Sequence, residues 1–146
     1  MPINLLSLSG LVCERVLQER DGVFSAIRIV EIFNVPEGIH EDATIQFYVL
    51  AILRATEATS EEFRIGVTLI RSSGERDRMP DPPNQPYRMP APIEGAPEAP
   101  PGLTIVIQMN VKPKNMGTAF VEIDVDGTII RIPFTLRRPP VAEQNQ

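Results

Sequence analysis

The chain's single histidine, His40, sits among carboxylates in Pro36-Glu37-Gly38-Ile39-His40-Glu41-Asp42. An imidazole titrates near neutrality, so a residue in this setting could act as a general base or a metal ligand. The surrounding residues are those of an exposed loop, and one imidazole cannot build a multi-histidine metal site. Ser25, His40 and any aspartate can be drawn together as a triad, yet no Gly-x-Ser-x-Gly elbow accompanies them. The lone cysteine, Cys13, follows Leu11-Val12 in a predicted strand, where a thiol behaves as a small buried hydrophobe. Asp124-Val125-Asp126-Gly127 resembles the opening of a calcium loop, but Ile129, Ile130 and Ile132 stand where further oxygen ligands are needed. No glycine-rich phosphate cradle occurs. These residues predict no catalytic, cofactor-binding or metal site, and a protein that is not an enzyme.

The remaining chemistry is that of a surface. Nine of the fifteen prolines fall between Pro80 and Pro101. Each removes a backbone donor and restricts the residue before it, so residues 72–102 are expected to form a long extended loop without ladder or helix. Met79, Tyr87, Met89 and Ile93 are apolar residues in a segment that cannot build its own core. Interleaved with prolines, they are the predicted partner-binding residues, as a low-entropy extended ligand for a partner's groove. Two other readings stand beside that one: the segment lies back over the domain as a cap, or it is disordered.

The elements that would carry these residues are strands. Thr118 to Leu136 alternates apolar and polar residues around Asp126-Gly127, a strong short-range hairpin signal because both turn residues accept positive φ. A two-residue loop sets Val125 opposite Thr128, Ile123 opposite Ile130, Val121 opposite Ile132 and Ala119 opposite Phe134. On the other face it sets Glu122 opposite Arg131, a cross-strand charge pair worth ~0.2–1 kcal/mol. Pro133 must then sit at an edge or a bulge. A second hairpin is expected at Asp21-Gly22, joining Leu8–Gln18 to Val23–Phe33. A two-residue loop there would oppose Arg15 to Arg28. A three-residue loop with left-handed Gly22 opposes Glu14 to Arg28 and is preferred.

Phe63, Ile65, Val67 and Leu69 alternate with Arg64, Gly66 and Thr68, and Leu103 to Val111 is apolar at every odd position. Both are half-buried strands by their period. Ala43–Arg54 is a nearly continuous apolar run, read as a central strand that hairpins into the Phe63 strand. Seven strands with turn signals between them predict an all-β domain, an immunoglobulin-like antiparallel β-sandwich over residues 1–140 with the proline-rich loop inserted. Residues 141–146 form a flexible polar tail.

With 14 basic and 19 acidic side chains, the chain carries a formal charge of −5. Its arginines are scattered, Arg76 with Arg78 and Arg137 with Arg138 being the tightest groups, and phosphate neutralisation needs clustered cations. No nucleic-acid partner is expected. The first residues lack a positive n-region, and their apolar run is broken by Asn4, Ser7, Ser9 and Gly10, unlike a signal peptide. Val12 is not the small residue a lipoprotein signal needs before Cys13. No segment reaches the ~18 apolar residues of a membrane span. With one cysteine that cannot form an internal disulfide, the expected setting is cytoplasmic, with no membrane partner.

Gly10-Leu11-Val12-Cys13-Glu14-Arg15-Val16 followed by Asp21-Gly22-Val23-Phe24-Ser25-Ala26-Ile27 resembles the opening of a bacterial family catalogued only as a domain of unknown function. Leu53-Arg54-Ala55 leading to Phe63-Arg64-Ile65-Gly66-Val67, and Val121–Gly127 running into Ile132-Pro133-Phe134, extend the likeness. The resemblance implies a bacterial β-sandwich and brings no catalytic residues. The expected function is a non-catalytic protein-interaction or assembly module, with a protein partner or self-association. The alternatives are an accessory or small-ligand-binding domain associated with an enzyme, using Pro36–Asp42, and a structural subunit of a larger particle built through sheet edges.

Overall fold

The computed structural model describes residues 5–20, 23–39, 43–56, 62–79, 86–91 and 94–139. Eleven strands run through these residues. The first six are β1 (Leu5–Gln18), β2 (Phe24–Ile29), β3 (Ile32–Asn34), β4 (Ile45–Ala55), β5 (Glu62–Phe63) and β6 (Ile65–Ile70). They are followed by β7 (Arg76–Arg78), β8 (Tyr87–Arg88), β9 (Gly102–Val111), β10 (Gly117–Val125) and β11 (Thr128–Arg137). The fold is all-β, and among the described residues no helix is long and apolar enough to cross a membrane.

The β10–β11 hairpin has the register its turn dictates: Val125 opposes Thr128, Glu122 opposes Arg131 and Ala119 opposes Phe134. Asp126 and Gly127 both take positive φ, 48° and 95°, the backbone that matches the twist of the flanking strands. Asp124 Oδ1 accepts the Gly127 N–H at 2.7 Å and closes the turn. Pro133 opposes Phe120, and β3 pairs with β11 only from Thr135 onward, so the proline lies on a free edge as its missing donor requires. In the first hairpin, Gln18 opposes Phe24 and Glu19 N donates to Val23 O at 2.8 Å. That register is the one of a three-residue loop, and Arg28 reaches Glu14 at 3.4 Å. Asp21 and Gly22 themselves lie outside the described residues, as do His40 and residues 140–146.

β1, β2, β4 and β9 form an antiparallel sheet in the order β2-β1-β4-β9. A second sheet has the order β3-β11-β10-β6-β7, and β5 pairs with β8. The inward residues of both large sheets join one buried cluster that includes Val49, Leu53, Met109, Val67, Ile123 and Phe134. Phe33, Phe47 and Phe134 meet across it with ring centroids 5.1–6.0 Å apart, tying β3, β4 and β11 together. Such contacts each add ~0.5–1.5 kcal/mol beyond the area they bury. The sheets approach closely at Gly10, where a Cβ would fall 2.3 Å from Ile132 Cδ1.

Four sequence expectations are corrected. β4 is a central strand, but it pairs with β1 and β9 and not with the Phe63 segment, which divides into β5, paired with β8, and β6, paired with β10 in the other large sheet. The period-two pattern sets which side chains face inward and carries no information about the neighbouring strand. Val23–Phe33 is not one strand: Val30 N still donates to Val12 O, whereas Glu31 O accepts from Thr135 N, so the chain changes sheets between them. The resulting β3–β11 pair is parallel, against the all-antiparallel expectation. Residues 72–102 are not free of ladders, because β7, which precedes the first proline of the run, pairs with β6, and β8, in the gap between Pro86 and Pro90, pairs with β5.

Candidate functional site

A sheet edge exposes backbone donors and acceptors, and proteins normally blunt it with short strands, charges, proline or bulges. Three of the four edge strands of the two large sheets carry such devices. β3 and β7 are three residues long. β2 is broken near its end by Arg28, whose φ of 53° departs from strand geometry. The part of β11 that extends past β3 carries Arg131 and Pro133. Among the described residues β9 has none of them. It pairs with β4 from Ile45–Val111 to Arg54–Gly102 without a shift in register, and its ten residues include no charge and no proline.

A cleft of about 420 Å³ runs along this edge. Ile65 and Val67 of β6, with Met79 and Tyr87, form one wall. The other wall takes Ile105, Val106, Ile107, Gln108 and Asn110 from β9. Residues from both faces of one strand can line a cleft together only where the cleft follows the strand's open edge. Arg71, only 8% exposed, anchors the far end: its Nε donates to Asp77 Oδ2 at 2.9 Å and its Nη1 to Lys112 O at 3.0 Å. That guanidinium ties the end of β9 to the turn after β6, and its charge is compensated where it is buried.

Cations mark both ends of the edge. At the start of β9, Gly102 leaves room for the Arg54 guanidinium, whose Nη1 lies 2.6 Å from where a Cβ would stand. At the other end come exposed Lys112 and then Lys114, which pairs with Glu75 at 3.4 Å.

Of the four residues read from sequence as partner contacts, Met89 is buried in the core at 6% exposure. Tyr87 is half-buried with its ring stacked on Phe63 at 6.1 Å, and Met79 is half-buried with its N–H on Val67 O at 2.9 Å. This is the geometry of a cap, and it brings Met79 and Tyr87 to the cleft while turning Met89 away from solvent. Ile93 lies outside the described residues. Cys13 is fully buried, and desolvation pushes its thiol pKa up against a smaller lowering by a backbone hydrogen bond at Arg15. The thiolate nucleophile is therefore disfavoured. Asp124 spends a carboxylate oxygen on its own turn, and no group of three or more His, Cys, Asp or Glu among the described residues could hold a metal ion.

The paired arginines are tied to their own chain. Arg76 and Arg131 both clamp Glu122, with contacts of 3.1 Å each. Arg137 donates to Asn34 Oδ1 at 2.7 Å, and Arg138 donates to the carbonyls of Val35 and Pro36. The β9 edge itself was not singled out from the sequence. Its signal was nevertheless present, as a ten-residue strand pattern without charge directly after a segment too rich in proline to pair with it.

No family model matches the chain, and no curated protein matches it. Among solved structures it is similar to part of the alkylpurine DNA glycosylase AlkC of Pseudomonas fluorescens, a structure bound to DNA containing an abasic-site analogue. The identity is 14% and the TM-score 0.43, over 73% of this chain. The chain spans only 27% of that protein, and at this level the likeness carries no argument about fold or activity.

Proposed function

We propose that the domain is a non-catalytic protein-interaction module that receives an extended segment along the free edge of β9. The observation that carries this reading is a ten-residue, bulge-free, uncharged edge strand open to a cleft. Strand addition draws affinity from main-chain hydrogen bonds and specificity from pockets for alternate side chains, and the cleft offers both.

An immunoglobulin-like sandwich is part of the proposal. If β4 is strand B, β9 is E, and β6, β10 and β11 are C, F and G, the observed pairings are those of that arrangement. β7 takes the place of C′. Strand D would then border β9 and come from residues 79–101. The longest run there without proline is four residues, Ile93–Ala96, too short to pair with all of β9. The resemblance to a bacterial β-sandwich family of unknown function and a cytoplasmic setting belong to the same proposal.

The test is affinity capture from the producing organism with the wild-type domain, a Val106→Lys/Gln108→Lys variant that charges the edge, and an Ile29→Lys control on the opposite sheet end. Partners lost with the edge variant and retained with the control support the reading, provided both variants keep the wild-type melting curve. The same partners on all three proteins overturn it.

A further inference from the structure

We infer that the segment received by β9 is an extended stretch of another protein, without proline at its laddering positions, apolar at alternate positions and flanked by carboxylates about ten residues apart. This inference rests on the strand-addition reading above and names the partner's chemistry.

A strand laid along β9 points every second side chain to the cleft side, where Ile65, Val67, Met79 and Tyr87 offer apolar walls. Those positions of the partner are therefore apolar, and β-branched residues suit an extended backbone best. Each partner residue that ladders onto β9 must supply its N–H, which excludes proline from those alternate positions. The middle of the edge is uncharged, and its two ends present Arg54 over Gly102 and Lys112 just past Val111. At 3.3–3.4 Å per residue these ends are roughly 33 Å apart, which sets the spacing of the partner's acidic residues.

A second copy of this chain fits less well, although its own β9 is apolar and regular. A one-residue offset inverts the faces, and of the antiparallel self-pairings that keep inward residues opposite inward residues, those centred on Val106 and Ile107 pair the most of β9. Either centre brings Lys112 of one copy opposite Gly102 or Pro100 of the other, beside the Arg54 that covers Gly102. Like charges are then opposed at both ends of the ladder, an arrangement that destabilises strand pairs.

The experiment is fluorescence anisotropy on the full chain with an eleven-residue peptide, alternating Val and Thr between two terminal Glu residues. One twin peptide has Lys at both ends, and a second is N-methylated at alternate residues so that it cannot ladder. The Glu-ended peptide should bind roughly five- to thirtyfold more tightly than the Lys-ended one, as four modest charge effects combine, and the ratio should shrink as salt is raised. In the Arg54→Gln/Lys112→Gln variant the ratio should fall close to one. Equal binding of the Glu-ended and Lys-ended peptides overturns the acidic partner and leaves strand addition standing. Equal binding of the N-methylated peptide overturns both. No peptide binding, with self-association in sedimentation that Val106→Lys abolishes, overturns the acidic partner in favour of a second copy. Neither binding nor self-association overturns both readings.

Discussion

Met89 lies in the segment that sequence reasoning offered as a partner-binding arm, yet it is 6% exposed and part of the buried cluster. Truncating a buried methionine to alanine removes its transfer free energy and leaves a cavity, a cost of about 2–5 kcal/mol across proteins. Pro90 and Ala91 beside it are exposed, so the backbone there can settle partly into the space, and the lower end of that range applies, about 2–3 kcal/mol. For a chain of this size each kcal/mol moves the midpoint by roughly 3–4 °C, so Met89→Ala should lower Tm by roughly 6–12 °C. Thermal and urea melts followed by far-ultraviolet circular dichroism measure this directly. Met89→Leu, which keeps the volume, should cost less than about 1.5 kcal/mol, and m should be unchanged in both variants. An arm held out for a partner predicts a change within about 0.5 kcal/mol. A Tm shift of no more than about 2 °C for Met89→Ala would refute the cap.

Three further outcomes follow from the geometry. Burial raises the Cys13 pKa, so the native thiol should resist Ellman's reagent at pH 8 and react on unfolding. The same shift contributes stability that is full below the ordinary thiol pKa of ~8.5 and is lost as pH rises from there toward the folded value. Cys13→Ala should remove that part of the alkaline decline in urea midpoints measured from pH 7 to 10, and an unchanged slope would show that the thiol does not cause it. Glu122→Gln takes the charge from between Arg76 and Arg131, each at 3.1 Å, and should cost about 1 kcal/mol, more at low salt, in urea melts. Gly10→Ala drives a methyl group toward Ile132 Cδ1 at 2.3 Å and Leu50 O at 3.2 Å, and should cost about 1–3 kcal/mol. Adding Ile132→Val should recover part of that loss; strictly additive costs would place the strain elsewhere.

What was legible in the sequence was what neighbouring residues decide among themselves. Asp126-Gly127 specified its turn, and with it nine cross-strand pairs down to Gly117 opposite Leu136. The opposition of Glu14 to Arg28 selected between two registers of the first hairpin, and the structure has the chosen one. What was not legible was which strands would become neighbours. β4 shares its sheet with β9, which begins at Gly102, far beyond the end of β4 at Ala55, and nothing in either pattern names the other. The sheet change between Val30 and Glu31 was hidden for a related reason, since no glycine, proline, asparagine or aspartate separates Val23 from Phe33 and the stretch reads as one strand. Arg71 escaped notice because a lone arginine after a strand looks solvated until its partners, Asp77 and the Lys112 carbonyl, are brought together by the fold.

The continuous apolar run of β4 acquires a meaning once its faces are separated. Phe47, Val49, Ala51 and Leu53 belong to the shared core. Tyr48, Leu50 and Ile52 alternate with them and point to the opposite side of the sheet. There Leu50 lies between Leu11 and Val106, and Tyr48 lies beside Cys13, which is in turn opposite Ile29. Leu50 is 4% exposed and Cys13 fully buried although neither belongs to the core cluster. The outer face of this sheet therefore carries an apolar band through Cys13, Leu11, Tyr48, Leu50 and Val106, with Ile29 65% exposed at one margin. A strand whose outer side faced water throughout would alternate polar residues along its length, whereas the middle of β4, between Gln46 and Arg54, does not. The face ends at Val106, the residue at which the β9 edge and its cleft begin, so a strand added to β9 would extend an apolar surface on its outer side as well as fill the cleft on its inner one. That continuity also explains why Val106→Lys is the most economical test of the edge: it sets one charge into the outer face and beside the open ladder, where a docking strand cannot avoid it.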